Sequence, residues 1–279
     1  MTSLDVKKRI VVVGNGMVGH HFVEQLHQSE ANVDITVLCG ESRLAYDRVY
    51  LSSFFSGATA EDLALTTPAQ YAQWGVNVVT NAMVTGIDRT QQQVTTQDGQ
   101  SFEYDKLILA TGSYPFVPPI PGNDQEHCLV YRTIDDLLAI EASAKVSKVG
   151  VVVGGGLLGL EAANALKQAG LQTHVVEFAP QLMAVQLDHA GGNLLKEKIE
   201  SLGVTVHTQK VTQVIEAGEQ CRYKMVFADN SVLETDMILF SAGIRPSDQL
   251  GKTASLALGE RGGIVIDNQC VTSDPNIYA

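Results

Sequence analysis

The chain lacks the close-set cysteines from which redox and metal centres are built. Its four, Cys39, Cys128, Cys221 and Cys270, lie 89, 93 and 49 positions apart. That spacing excludes a redox-active disulfide of neighbouring cysteines. It also disfavours a four-cysteine metal or cluster site, which usually contains at least one close pair. Positive charge is scarce: 19 Lys and Arg stand against 31 acids, for a formal net charge of −12. Nucleic acid and anionic membrane surfaces need a basic face, so neither is expected as a partner. Long apolar runs are missing too, and none approaches the ~18–20 residues of a membrane span. The run from Ile10 to Val13 is too short for a secretory signal, which leaves the cytoplasm as the expected location. The histidines are scattered, so His20, His21, His174 and His207 read as packing or surface residues and no metal site is expected. Trp74, the single tryptophan, reads as packing.

What the chain does have is glycine, 25 residues of it, and a phrase written twice. Val11-Val12-Val13-Gly14-Asn15-Gly16-Met17-Val18-Gly19 returns 140 positions later as Val151-Val152-Val153-Gly154-Gly155-Gly156-Leu157-Leu158-Gly159. Each copy is a β-branched run that breaks into G-x-G-x-x-G and then into an apolar helix. In such a strand–turn–helix the first glycine permits the sharp turn. The second lets the backbone approach a pyrophosphate, and the third lets the helix pack tightly on the strand. The helix N-terminus adds free N–H groups and the positive end of its dipole. Two copies imply two dinucleotides, and two dinucleotides in one chain suggest electron transfer between them.

The periodicity around each copy repeats as well. In the first half, residues 10–13, 35–38, 77–79, 93–96, 101–104 and 107–110 read as strands, 16–28 as a helix, and Asp98-Gly99 as a hairpin turn. In the second, residues 149–153, 173–176, 205–207, 211–215, 224–227 and 237–240 read as strands and 157–169 as a helix capped by Gly170. Asp229-Asn230 marks a second hairpin turn. Each half ends in an apolar strand followed by glycine, Gly112 and Gly243. Half of the eight prolines fall within residues 115–121 and suggest a connector between domains. The expectation is an α/β protein that duplicates a Rossmann-like domain.

In this fold an acid about 20 residues past the glycines hydrogen-bonds a ribose 2′-hydroxyl. Glu177 follows Gly159 by 18 residues. Its neighbours Phe178, Ala179 and Pro180 include no cation for a 2′-phosphate, so the second copy should prefer NADH to NADPH. The first copy is less clean. Its strand ends in Cys39-Gly40-Glu41, with glycine where the acid is most wanted, and the ribose falls to Glu41 or to backbone.

The order of these motifs resembles the pyridine nucleotide–disulfide oxidoreductase superfamily, two-domain flavoproteins in which an NAD(P)H domain is inserted into an FAD domain. The resemblance implies two Rossmann-like three-layer domains, FAD-binding over residues 1–118 and 244–279 and NAD-binding over 119–243. Gly14, Gly16 and Gly19, with Met17 beside them, would hold FAD, and Ala110-Thr111-Gly112 would pass the flavin. Gly154, Gly156, Leu158, Gly159 and Glu177 belong to NADH, and Gly243 to the crossover back. Within the superfamily, several phrases resemble the N-terminal module of NADH-dependent nitrite reductase large subunits. They include Ala45-Tyr46-Asp47-Arg48-Val49-Tyr50-Leu51-Ser52-Ser53 and Tyr131-Arg132-Thr133-Ile134-Asp135-Asp136. The implied activity is hydride transfer from NADH to FAD, then electron transfer to a downstream redox centre for nitrite reduction to ammonium. An NADH:rubredoxin or ferredoxin-type reductase, or a non-catalytic nucleotide-binding fragment, is the alternative.

Three departures qualify the resemblance. Nitrite reduction in that family occurs at a sirohaem and a [4Fe–4S] cluster, which would lie in a further domain or be served with a small subunit. The related rubredoxin and ferredoxin reductases carry a lysine after Leu-Ser, where this chain has Ser53. The closing FAD phrase begins at Thr272 but would need residues beyond Ala279, so a truncated chain is expected. Arg48 could approach the flavin phosphates or pair with Asp47 or Glu41. Glu161 could meet the nicotinamide or serve the helix dipole, Tyr114 could flank the flavin or pack, and Arg132 could serve either role. Self-association as a homodimer is left open.

Overall fold

The computed structural model describes residues 7–279. Among these the chain forms two compact units. The first comprises residues 7–48, 59–113 and 246–279, and the second residues 49–58 and 114–245.

The first unit is built on a five-stranded parallel sheet. Its order is Ile277–Tyr278, Lys106–Leu109, Lys8–Val13, Val33–Leu38, Asn77–Val79. Successive side chains of a strand point to opposite faces, and the burial follows that rule. Ile10 and Val12 pack with Val23, Tyr71 and Val76 on one face, beside the helix Met17–Gln28. Val11 and Val13 pack on the other with Leu107, Val84, Val94 and Tyr104. That second face is covered by the antiparallel meander Val84–Asp88, Gln93–Thr96, Ser101–Glu103. The result is three layers: helix, parallel sheet, meander.

The second unit repeats the plan. Its parallel sheet runs Thr205–His207, Gln172–Val176, Val149–Val153, Met237–Phe240, Cys128–Val130. The meander Thr212–Ala217, Tyr223–Phe227, Val232–Thr235 seals one face through Ile215, Tyr223, Met225 and Phe227 against Val151, Val153 and Ile238. The helix Leu157–Gln168 buries Ala162, Ala163, Ala165 and Leu166. The Rossmann-like duplication expected from the glycine phrases is therefore observed in both halves.

The changeovers between units differ from the expected limits at 118/119 and 243/244. They fall at 113/114 and 245/246, within the two crossing segments Ser113–Pro115 and Ile244–Pro246. Residues 49–58, expected in the first domain, cluster with the second unit through the short 3-10 turn Leu51–Ser56, which packs on Leu157–Gln168. The proline-rich segment is not a free linker. Phe116 N–H donates to the Gly243 carbonyl, the Pro121 carbonyl accepts from Ile215 N–H, and Val117 and Ile120 pack against the core of the second unit.

Helices that the periodicity left unassigned form behind explicit caps. Thr67 caps Pro68–Gln73 and Asp188 caps His189–Ser201. Thr133 and Asp136 form a full capping box on Ile134–Ala144, which satisfies two otherwise orphaned N–H groups. Among the described residues, no helix is long and apolar enough to cross a membrane.

Candidate functional site

The two glycine loops have the same internal geometry. Gly14 has φ +104° and Gly154 φ +122°, a region that an L side chain rarely adopts. A Cβ on Gly14 would lie 2.3 Å from the Ala110 carbonyl oxygen, and one on Gly154 would lie 2.3 Å from that of Ser241. The first glycine of each loop is thus wedged against the end of the neighbouring strand. A Cβ on Gly19 would fall 2.1 Å from the Gly14 carbonyl oxygen, and one on Gly159 would fall 2.0 Å from that of Gly154. The third glycine is what lets the helix sit on the loop. The middle glycines face open space. The nearest atom to a Cβ on Gly16 is Arg48 Nε at 3.9 Å, and Gly156 has no neighbour within 4 Å.

Gly16 and Gly156 are also the N-caps of the two helices, and neither helix start has a side-chain cap. Their first N–H groups are therefore left for an anion. The residues present fit a dinucleotide pyrophosphate at both places. Met17 and Leu158 sit in the first turns, and Leu158 is exposed.

The segments facing the loops are pinned. Ala110 N–H donates to the Val13 carbonyl, and the Thr111 hydroxyl donates to the Ser247 carbonyl at 2.7 Å. Gly112, at φ +65°, accepts from Ser247 N–H. Thr111 and Gly112 thus fasten the returning chain to the edge of the first loop. Gly243, at φ +103°, accepts from Phe116 N–H in the second unit.

The acids after the second strands are held differently. Glu177 is buried, with one carboxylate oxygen accepting Gly155 N–H at 2.6 Å and the other accepting Ala179 N–H at 2.8 Å. Two oxygens with two lone pairs each leave acceptor capacity for a ribose hydroxyl. A Cβ on Gly155 would approach Glu177 Oε2 to 3.0 Å and Leu182 to 2.6 Å, so this loop position has little room for a side chain. In the first loop the equivalent residue is Asn15, also buried. Its Oδ1 accepts the Tyr71 hydroxyl at 2.7 Å, and Tyr71 Oη lies 2.9 Å from His20 Nδ1. Asn15 Nδ2 has no partner there. Burial pushes the Tyr71 hydroxyl pKa up and the His20 pKa down, which favours the neutral form of each. Glu41 accepts the Tyr46 hydroxyl at 2.8 Å and pairs with the Arg48 guanidinium, which lies 4.7 Å over the Tyr46 ring. Arg48 therefore makes a part-buried ion pair with Glu41, and its Nε borders the open side of Gly16.

A cavity of about 520 Å³ opens in the second unit beside Gly154, Gly156 and Leu158 and is flanked by Glu177, Phe178 and Val211. Phe178 is 77% exposed, an apolar wall suited to a flat base. The cation that the sequence near Glu177 lacks is supplied from elsewhere in the chain. No cation neighbours Glu177 in sequence, yet the fold brings Lys210 into the same cavity, with Lys210 N–H donating to the Glu177 carbonyl at 3.0 Å. No local motif could have announced a residue 33 positions away.

Glu161 lines a separate, smaller cavity of about 220 Å³ with Ser52, Ser53, Asn164 and Gln168. Tyr114 is 53% exposed, so it is not a core residue. The backbone N–H of Arg132 joins the capping box through Asp136. His20 and His27 stack on Trp74, and His174 stacks on His207. The cysteines are free. Among the described residues, no cluster of three or more His, Cys, Asp or Glu could hold a metal.

Two dinucleotide loops of one geometry on two Rossmann-like units define a class, and the comparison with family models agrees. Residues 8–279 match the pyridine nucleotide-disulphide oxidoreductase model, and the chain belongs to this family. Membership implies FAD and a nicotinamide dinucleotide as cofactors. Among curated relatives, the nitrite reductase (NADH) large subunit of Escherichia coli (strain K12) is 54% identical over 276 residues, 98% of this chain and 33% of that protein. The rubredoxin-NAD(+) reductase of Alcanivorax borkumensis is 31% identical over 97% of this chain and 70% of that protein. Among solved structures, the putidaredoxin reductase–putidaredoxin complex matches with a TM-score of 0.89 at 27% identity, over 98% of this chain and 67% of that one. The chain spans about a third of the length of the nitrite reductase relatives, at 33% and 29%.

Proposed function

We propose that this chain is the NADH-oxidising flavin module of a longer nitrite reductase. FAD lies on the loop of Gly14, Gly16 and Gly19, and NADH on the loop of Gly154, Gly156 and Gly159. The carrying observation is the paired loop geometry: both outer glycines wedged against carbonyls, both middle glycines open. When bound, the two cofactors supply the hydride donor and an acceptor able to release electrons singly.

The protein's part is positional. Uncapped helix starts at Gly16 and Gly156 offer N–H groups to the pyrophosphates. Glu177, fixed by two backbone N–H groups, accepts the adenosine 2′-hydroxyl and repels a 2′-phosphate. Phe178 and Val211 exclude water from one side of the base. Glu41, held by Tyr46 and Arg48, is the acid available to the first ribose.

The downstream partner in this reading is an iron–sulfur and sirohaem domain, or a small subunit, that receives the electrons for reduction of nitrite to ammonium. An NADH:rubredoxin-type reductase is the second reading, favoured by the relative of which this chain covers 70%. Visible spectroscopy of the purified chain tests the core of both. One FAD per chain, bleached by NADH without oxygen, supports the module, whereas a colourless protein that still binds NADH leaves only a nucleotide-binding fragment. Electron delivery to rubredoxin at the rate of NADH oxidation would favour the second reading over the first.

A further inference from the structure

The fold places a cation beside the acid that governs nucleotide choice and then ties it back. Resting on the reading that the second unit holds NADH, we infer that Lys210 and Asp229 form a specificity latch. It withholds an ammonium group from the 2′-position, so the site takes the 2′-hydroxyl dinucleotide and refuses the 2′-phosphate form.

The segment carrying Lys210 is laced to the one carrying Glu177. Glu177 N–H donates to the His207 carbonyl at 2.8 Å, Gln209 N–H to that of Ala179 at 3.0 Å, and Lys210 N–H to that of Glu177 at 3.0 Å. Among the described residues lining the cavity, Glu177 is the one acid and Lys210 the one cation. The Lys210 ammonium is engaged by residues outside that lining. It donates to the Asp229 carboxylate and to the Ser231 hydroxyl oxygen at 2.7 Å, with its Nζ 5.4 Å from the Phe227 ring centre.

The clamp is preorganised. The turn between Tyr223–Phe227 and Val232–Thr235 has Asn230 at φ +62°, and Asp229 Oδ1 accepts both the N–H and the hydroxyl of Ser231, at 3.0 and 2.6 Å. Lys210 and Ser231 hold the Asp229 carboxyl far below the ordinary carboxylate range, so it is ionised throughout the working pH range. A 2′-phosphate would meet the Glu177 carboxylate and a lysine already neutralised, whereas a 2′-hydroxyl needs only the acceptor. Asp229 does not line the cavity and acts through Lys210, as a positioning residue.

The test is the ratio of affinities for 2′,5′-ADP and ADP, measured by calorimetry on the full chain and its Asp229→Asn variant. Asparagine keeps an oxygen for Ser231 N–H, so the turn survives. The expected result is a shift of about tenfold toward 2′,5′-ADP, the scale of one charge-assisted phosphate contact. The shift should weaken with salt and vanish in Lys210→Met/Asp229→Asn. Ser231→Ala should move the ratio the same way by less. An unmoved ratio in Asp229→Asn, or a gain that persists without Lys210, overturns the latch while NADH binding by the wild type stands. Failure of the wild type to bind ADP or NADH overturns the reading of the unit and the latch with it.

Discussion

The two glycine loops can be superposed residue for residue in their logic, yet they solve one problem in different ways. The crowding at their outer glycines agrees to 0.1 Å, because strand, turn and helix leave one geometry for the chain to take. They part at the residue after the first glycine. In the second loop this is Gly155, whose N–H is gripped by Glu177, so the acid proposed to read the ribose also braces the loop. In the first loop it is Asn15, whose side chain reaches Tyr71 and through it His20. Bracing and reading are fused in one copy and separated in the other. The separation leaves the first loop's acid, Glu41, free to pair with Arg48 and Tyr46 instead.

Substituting the wedged glycines should break the symmetry most strongly. Gly14→Ala and Gly154→Ala each add a Cβ within 2.3 Å of a carbonyl at positive φ, at an expected cost of roughly 3–5 kcal/mol. Gly14→Ala should abolish flavin binding and spare ADP binding, with Gly154→Ala doing the reverse. Equal loss of both ligands from either change, read by absorbance and calorimetry, would show that the loops are not independent.

Glu177→Gln comes next. Both groups facing the carboxylate are N–H donors, so the amide satisfies one and opposes the other with its own NH₂. A stability loss of about 1–3 kcal/mol is expected, with NADH and NADPH brought toward equal kcat/KM. Undiminished selectivity would remove Glu177 from its role. In the other loop, Tyr71→Phe strips a partner from both Asn15 and His20 and should cost about 1–2 kcal/mol. It should loosen flavin while NADH affinity holds, and an unchanged flavin off-rate would count against the brace.

Acidification should give the smallest effect. Burial lowers the pKa of His20 in the first unit and of His174 and His207 in the second. A folded pKa below the unfolded value means that the unfolded state takes up the proton first. Stability is therefore full above about pH 6.5 and is lost as pH falls from there through the folded values. Two such groups lie in the second unit, stacked with nitrogens 3.1 Å apart, so it should lose more than the first as pH falls below about 6.5. Melting curves of His174→Asn/His207→Asn and His20→Asn variants compare the two slopes.

The parts legible in sequence are those written in adjacent residues. The glycine phrases name their strand, turn and helix, and Glu177 stands where the second strand must end. Thr133 and Asp136 spell a capping box three residues apart, a start signal as local as the glycines and open to the same reading. Lys210 and Asp229 were not legible as a pair, because backbone hydrogen bonding brings Lys210 to Glu177 from 33 positions away and a hairpin turn brings Asp229 to Lys210 from 19. Residues 49–58 resemble a flavin-domain phrase, but their packing follows Leu51–Ser56 and its neighbour helix, which composition does not reveal.

The division of the chain between its units sets an order of assembly. All residues of the second unit have been synthesised once Arg245 is made. The first unit, though it starts first, still awaits residues 246–279, including the strand Ile277–Tyr278 that pairs with Lys106–Leu109 at the edge of its sheet. On the ribosome, domains fold as units as their residues emerge. The later-starting unit is then the first able to finish, and the unit that opens the chain is the last.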